Sequence, residues 1–114
     1  MNFEQAYSTD AEAEVEGRWF PLKYGGRVKL ARIGNQKYKE VGRKLEERAR
    51  ERAGAEILED DEIDAIVCES LATAILLDWE IYGEGAKKIP YSVEKAKHYL
   101  IDLIDFRAEI IEKS

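Results

Sequence analysis

The spacing of the apolar residues changes at Asn35, and this change constrains the fold more than any other feature of the chain. In the segment 27–31 apolar and polar residues alternate, which is typical of a strand with one covered face. After Asn35 apolar residues recur every three or four positions, which is typical of helices that pack on one side. The sequence therefore predicts a short β unit followed by helices.

The predicted β unit is an antiparallel hairpin over residues 13–33. β-prone residues flank the segment 24–27, whose two glycines can supply the positive φ that a tight turn requires. In the second arm the alternation places Val28 and Leu30 on the covered face. The same alternation places Ala31 on the face that contacts water.

Three helices are predicted after the hairpin, over residues 35–53, 60–82 and 92–112. The first carries a narrow apolar stripe, and Asn35 is a suitable N-cap for it. The second carries a broad apolar stripe, so we expect it to be the most buried element. The third can be capped by Ser92, and its apolar arc is wider than one neighbouring helix can cover.

Length and composition agree with one small folded unit. The chain has 114 residues, of which 45% are apolar, and this is enough for one hydrophobic core. The predicted fold class is a single α+β domain over residues 1–114, mainly α, with a small N-terminal β-hairpin and a three-helix bundle-like arrangement. No apolar run reaches the ~20 residues that span a membrane, so we expect a soluble cytoplasmic protein.

Few residues are suited to catalysis or metal binding. The chain has one histidine and one cysteine, which leave no second histidine or thiol for a zinc site and few candidates for a catalytic triad. We expect His98 at the surface and Cys68 buried, where a thiol behaves as a small apolar side chain. The acidic segment 59–64 lacks the ligand spacing of a calcium loop and suits the start of a helix. The sequence predicts no catalytic residue, no cofactor, no metal site and no enzyme activity.

Charge is segregated along the chain. Residues 1–16 carry a net charge of −5, residues 17–52 carry +8 and residues 53–114 carry −9. Such segregation indicates opposed faces or a surface for a partner, although a basic helix packed beside an acidic one gives the same pattern.

The basic segment 17–52 leaves two kinds of partner open. Its lysines and arginines are dense enough to attract phosphates, and Trp19, Tyr24 and Tyr38 are available to stack on bases, so a small nucleic-acid-binding regulator is the alternative. Against it, no nucleic-acid motif is present, glutamates interrupt the segment and the whole chain is acidic. Contact with an acidic protein surface, including that of another copy, is favoured.

Several short motifs resemble those of a known family. They are Gly17–Pro21, Ala31–Tyr38, Asp78–Glu80 and Ile89–Ser92. In this order, over about residues 15–110, the chain resembles the tail assembly chaperones of long-tailed bacteriophages, in the short form made without a ribosomal frameshift.

The resemblance implies a non-catalytic protein of the host bacterial cytoplasm. It would bind the tape measure protein, keep its hydrophobic helices soluble, and recruit major tail protein for polymerisation of the tail tube, without staying in the mature virion. Members commonly also have a longer product made by a programmed frameshift. Pairing of the basic and acidic segments of different copies would give an oligomer or a spiral around such a client.

Two groups of residues are predicted to contact partners. The apolar group lies on the third helix and would meet a helical client. The basic group lies in the hairpin and the first helix and would meet an acidic surface. The residues are Tyr99, Leu103, Phe106 and Ile110 in the apolar group, and Arg18, Arg32, Arg43, Lys44 and Arg48 in the basic group.

Overall fold

A computed structural model describes residues 16–54 and 58–114, and within these residues the chain forms four helices and one four-stranded sheet. The strands are β1 (Arg18–Pro21), β2 (Arg27–Leu30), β3 (Leu76–Tyr82) and β4 (Lys88–Ile89). The helices are α1 (Gln36–Ala53), α2 (Asp60–Ala74), α3 (Val93–Asp102) and α4 (Ile104–Lys113). The predicted class, a mainly helical α+β fold with an N-terminal strand pair, is confirmed.

The sheet is antiparallel, and its strands lie side by side in chain order. β1 and β2 form the predicted hairpin, although residues 13–15 of its predicted first arm lie outside the described residues. β3 pairs with β2 so that Trp79 lies opposite Val28. The sheet therefore extends beyond the hairpin by two strands that the sequence did not predict.

The predicted helix over residues 60–82 is wrong in its last third. α2 ends at Ala74, and the residues from Leu76 to Tyr82 form β3. A short apolar run is compatible with a buried strand as well as with a helix, so periodicity alone does not distinguish them. Pairing with strands on both sides satisfies the backbone of β3, and this long-range interaction outweighs the local helical pattern.

The predicted helix over residues 92–112 is two helices. They are separated by Leu103, whose backbone is not helical (φ −105°, ψ 87°). In one continuous helix Ile110 would lie about 80° around the axis from Leu100, because each residue advances about 100°. The break corrects this phase difference, so that Leu100 in α3 and Ile110 in α4 are both fully buried.

The predicted orientations in β2 hold up to Leu30 and fail after it. Val28 is 0% and Leu30 is 2% exposed, as predicted, but Ala31 is only 1% exposed although we expected it to contact water. The register of the ladder shifts between Lys29 and Leu30, which ends the alternation. The Ala31 N–H donates to the Ile75 carbonyl at 2.9 Å, so Ala31 lies inside, at the end of α2.

The helix ends follow local chemistry in most places. The Asn35 side chain accepts a hydrogen bond from the Tyr38 N–H at 2.8 Å, as predicted for an N-cap. Gly54 ends α1 in the left-handed conformation, with φ 63°. Ser92 accepts from the Lys95 N–H at 3.1 Å at the start of α3, as predicted.

Trp79 lies at the centre of the core with 1% exposure. Its indole N–H donates to the Ile89 carbonyl at 2.8 Å, which fixes β4 beside β3. Tyr91 packs edge-on against the indole at 5.0 Å, and Tyr99 stacks on it at 5.6 Å. The Tyr91 hydroxyl donates to the Leu76 carbonyl at 2.6 Å, and burial raises the pKa of this hydroxyl. Aromatic packing therefore connects the sheet to α3.

Gly26 and Gly34 provide a test of the hairpin's packing on β3. Gly26 has φ +78°, and a Cβ there would lie 2.6 Å from the Glu80 carbonyl oxygen, whereas Gly34 has φ +83° with nothing within 4 Å. Gly34→Ala should cost about 1–2 kcal/mol through the left-handed backbone alone. Gly26→Ala should cost a further ~1–3 kcal/mol, because the added methyl group forces the turn away from β3. Urea unfolding measures both losses, and equal losses would contradict this close packing.

Candidate partner-binding surfaces

Three of the four apolar residues predicted to contact partners pack towards the core. Ile110 is 0% exposed, so the prediction that it contacts a partner is wrong. Tyr99 stacks on Trp79, and Phe106 is half-buried against the core. Leu103 is 49% exposed, because it occupies the break between α3 and α4. The predicted face of the helix therefore packs largely against the core, and of its four residues Leu103 is the one that lies outside.

α4 exposes a different set of apolar residues. Ile104, Ala108 and Ile111 follow the i, i+4, i+7 spacing of one helix side. Ile104 is 65% and Ile111 is 40% exposed, and Ala108 is exposed between them. We call these three residues the α4 apolar row. Ile101 and Leu103, 42% and 49% exposed, add apolar surface at the preceding break.

Two acidic residues lie on one side of the α4 apolar row. Asp105 and Glu112 are both exposed, and seven residues separate them along the helix, so they project on the same side. Within residues 16–54 and 58–114, neither forms an ion pair. We call this pair the α4 acidic row.

The predicted basic residues do not form one patch. Arg18 begins β1, at the edge of the sheet, and Arg32 is exposed between β2 and α1. The other three are exposed on α1 but project on two sides of it. Arg43 donates to Glu47 at 2.8 Å, one turn along the same helix, whereas Lys44 and Arg48 project on the other side.

A row of cations without ion pairs in the described part of the chain marks the second side of α1. It consists of Lys37, Lys44 and Arg48, all exposed. Val41 and Leu45 lie next to this row and are half-buried, yet within the described residues neither packs against the core cluster. We call these five residues the α1 outer face. It combines positive charge with half-buried apolar surface, and the exposed Glu40 and Glu51 lie beside its cations.

An open groove of about 590 Å³ lies between α1 and α2, on the side of α1 away from its outer face. Its volume falls in the range of about 300–1,000 Å³ that is typical of ligand sites. The apolar lining consists of Tyr38, Leu58, Ile63, Ile66 and Val67, and charged residues at the rim are Lys39, Arg43, Glu46 and Arg50.

α1 and α2 meet at Gly42 and Ser70, beside the groove. A Cβ at Gly42 would meet the Ser70 hydroxyl oxygen at 3.5 Å, which is ordinary contact, so the two helices pack closely there. The Ser70 hydroxyl donates to the Ile66 carbonyl at 2.7 Å and is thereby satisfied within its own helix. Sequence reasoning missed this groove, and its one signal was a glycine inside the predicted first helix.

The cations at the groove rim are largely neutralised. Arg43 pairs with Glu47, and Arg50 pairs with Glu46 one turn before it. Such exposed pairs contribute little to stability, typically ~0–1 kcal/mol, but they reduce the local positive charge. The groove is therefore an apolar site rather than a phosphate-binding one.

Reactive side chains do not form a cluster. Cys68 is buried, as predicted, and accepts a hydrogen bond from Arg107 at 3.3 Å. His98 is exposed, as predicted, and lies 3.0 Å from the Asp102 carboxylate. In the part of the chain that the structure describes, no three His, Cys, Asp or Glu residues are placed to hold a metal ion, and no helix is long and apolar enough to cross a membrane.

The hairpin fixes which side of α4 faces outwards. The Glu109 carboxylate accepts hydrogen bonds from the Lys23 backbone N–H, at 2.8 Å, and from the Lys113 ammonium. Lys113 also donates to the Pro21 carbonyl at 2.6 Å. Burial acts to raise the pKa of Glu109, but the hydrogen bonds from these two lysines outweigh it and hold the pKa below its usual value. The inner edge of α4 is thus held to the sheet, and its apolar row stays outside.

Residues 33–114 match the model of a protein family described as YdaY prophage protein. The matched range contains all four helices described above, and therefore the groove, the α1 outer face and both rows on α4. No curated protein and no solved structure matches the chain significantly.

The contacts of Glu109 predict an acid-sensitive attachment of the hairpin to α4. Because its pKa is lower in the folded than in the unfolded chain, its contribution to stability is complete above the usual value of 4.5 and is lost as pH falls through the folded pKa. Glu109→Gln should lower the free energy of unfolding by about 1–2 kcal/mol at neutral pH, and this difference should shrink in acid. Urea unfolding at neutral and acidic pH measures it. Glu112→Gln, at an exposed carboxylate, is the control and should change little; a constant difference at all pH values would contradict the assignment.

Proposed function

The chain belongs to the YdaY prophage protein family, and from this premise we propose that it is a non-catalytic tail assembly chaperone of a long-tailed phage. Its proposed client is the tape measure protein, whose long hydrophobic helices need cover before assembly. It would also bring major tail protein subunits to this client, so that the tail tube polymerises around it. It would act in the host cytoplasm and leave before the virion is complete.

The apolar groove between α1 and α2 is the observation that carries this proposal. A helical client needs a surface that covers the apolar side of its helix, and a groove between two helices is a common solution. The groove provides Leu58, Ile63 and Ile66 within a volume of about 590 Å³. This space suits a few apolar side chains spaced as on one side of a helix.

The size of the groove supports weak, repeated binding. Burying one Leu or Ile side chain of the client contributes about 1.5–3 kcal/mol, so three such client side chains contribute about 5–9 kcal/mol. Association costs roughly 4–15 kcal/mol in lost freedom of movement, so one groove on one helix leaves little net affinity. Many copies bound along one long client would hold it more firmly, since neighbouring sites reinforce each other. This agrees with a reversible chaperone.

The contacts of the basic segment support the nucleic-acid alternative less well. Arg27 forms two hydrogen bonds with Glu80, at 2.7 and 2.8 Å, and these lower the pKa of Glu80. The same guanidinium covers the Trp19 ring at 4.3 Å, where a base would have to stack. Tyr38 lies half-buried in the groove. A small nucleic-acid-binding regulator therefore remains an outcome to test rather than the proposal.

The groove can be tested with two matched substitutions. Ile63 is 45% exposed and lines the groove, whereas Val93 is 44% exposed and lies outside it, and both are near the start of a helix. Ile63→Asp should reduce recovery of co-expressed tape measure protein at least tenfold, since one lost apolar anchor exceeds the ~1.4 kcal/mol that a tenfold change requires. Val93→Asp should leave recovery unchanged.

The same experiment separates the two candidate functions. Wild-type protein that recovers no tape measure protein at low salt would contradict the chaperone proposal. Fluorescence anisotropy with duplex DNA, in the same buffer, tests the alternative. Measurable binding that weakens steeply with added salt would favour the nucleic-acid regulator.

A further inference from the structure

We infer that α4 is a detachable cover, and that the cleft beneath it binds a helix that repeats the inward pattern of α4. The cleft lies between the hairpin, α2 and the segment that leads into α1. It is separate from the groove between α1 and α2. The inference does not rest on the proposed function, because the purified chain and one synthetic peptide are enough to test it.

α4 is held in this cleft by few apolar contacts. Ile110 is 0% exposed and belongs to the core cluster, whereas the other residues of α4 are half-buried or exposed. Among the described elements α3 packs along α4, and the others meet it at isolated residues. Segments with few buried apolar contacts open at a lower free-energy cost than the whole fold. We therefore expect α4 to detach while the rest of the chain stays folded.

The contacts between α4 and the hairpin are polar and border open space. Glu109 accepts a hydrogen bond from the Lys23 N–H at 2.8 Å, and the Lys113 ammonium donates to the Pro21 carbonyl at 2.6 Å. An open hollow of about 500 Å³ lies beside them, lined in part by Leu22 and these four residues. Water in the hollow can take the place of each hydrogen bond, so the net contribution of these bonds to holding α4 is small.

Leu103 provides the point about which α4 can turn. Its backbone is not helical, and in the described part of the chain no side chain caps the start of α4. The Leu103 N–H donates to the Tyr99 carbonyl at the end of α3, and the Leu103 carbonyl accepts from the Arg107 N–H at the start of α4. A change in the backbone angles of Leu103 therefore moves α4 while each helix keeps its own hydrogen bonds, which is how a hinge works.

The side chains of α4 show what the cleft accepts. Phe106 and Ile110, one helical turn apart, pack towards the core, and the carboxylate of Glu109 receives the Lys23 N–H beside them. A helix from another molecule that carries the same groups can fill the same space, in the helix-in-groove mode. The partner is therefore an amphipathic helix with apolar residues at positions i and i+4 and a carboxylate at i+3.

Cys68 reports whether the cleft is open. It is the only cysteine of the chain, it is 0% exposed, and its sulfur accepts a hydrogen bond from Arg107 of α4 at 3.3 Å. Departure of α4 removes Arg107 and uncovers the thiol on this side. The rate at which a maleimide labels Cys68 therefore measures the fraction of molecules in which α4 is detached.

Three substitutions separate detachment of α4 from unfolding of the whole chain. Glu109→Gln removes the carboxylate that holds α4 to the hairpin, and it should speed labelling of Cys68 about 5–30-fold, in line with the loss of stability predicted above. Glu51→Gln, the same change at an exposed carboxylate of α1, should leave the rate unchanged. Gly54→Ala lies at the far end of α1, where φ is +63° and nothing lies within 4 Å, so it should destabilise the fold to urea and leave the labelling rate unchanged.

A synthetic peptide with the sequence of residues 103–114 tests the cleft itself. In the Ile110→Asp chain α4 should detach, because an unpaired carboxylate is costly in the core, and Cys68 should be labelled rapidly. The peptide at millimolar concentration should then occupy the cleft and slow labelling by about twofold or more, since a short tether holds α4 at a similar effective concentration. The same peptide with Ile110→Asp is the matched control and should have no effect. The Glu109→Gln chain, whose core is unchanged, should respond to the two peptides in the same way, and circular dichroism checks that both chains are folded.

Two results would overturn the inference. One is a Glu109→Gln chain whose labelling is accelerated no more than that of Gly54→Ala, because Cys68 would then be reached only when the whole chain unfolds. The other is labelling that the unchanged peptide slows in neither the Ile110→Asp nor the Glu109→Gln chain. Ile63→Asp lies in the groove and should leave labelling of Cys68 unchanged, so failure of the client experiment and failure of this one are distinguishable.

Discussion

The pairing of β3 with β2 is the interaction on which the rest of the structure depends. It places Trp79 opposite Val28 in the interior, where the indole N–H reaches the Ile89 carbonyl and fixes β4. Tyr91, just beyond β4, then bonds to the Leu76 carbonyl and starts the chain into α3. α3 packs against α2 and, through the stacking of Tyr99 on Trp79, against β3. The position of the exposed side of α4 therefore depends on this strand, whereas α1 is placed by its packing against α2.

Sequence reasoning succeeded where the determinants are local and failed where they are distant. Asn35 and Ser92 cap their helices through side chains within three residues, so their roles could be predicted from neighbouring positions. β3 was predicted as helix because its apolar residues suit both structures until a pairing strand is known. The break at Leu103 is marked by neither proline nor glycine, and it follows from the need to bury Leu100 and Ile110 together.

The same distinction applies to the candidate sites. The apolar excess of the last helical segment was predicted, but the residues left outside could not be, because the break decides which side of α4 is exposed. Ile110 is consequently inside and Ile104 outside. The basic character of α1 was also predicted, whereas which of its cations form ion pairs could not be, because glutamates lie one turn from the paired and from the other cations alike. The groove needs two helices in contact, so Gly42 alone could not predict it.

The basic segment of the chain forms the two sides of α1, and these two sides differ in how their cations are paired. A helix whose charges only keep it soluble would gain from internal i,i+4 pairs on every side, at about 0.2–0.5 kcal/mol each. α1 forms such pairs beside the groove, at Arg43 and Arg50, whereas the described residues form none with the cations of its outer face. On that face Glu40 lies three residues after Lys37 and four before Lys44, yet within the described residues neither cation forms an ion pair. Within residues 16–54 and 58–114, the basic row next to Val41 and Leu45 therefore keeps an exposed charge that favours contact with an acidic surface.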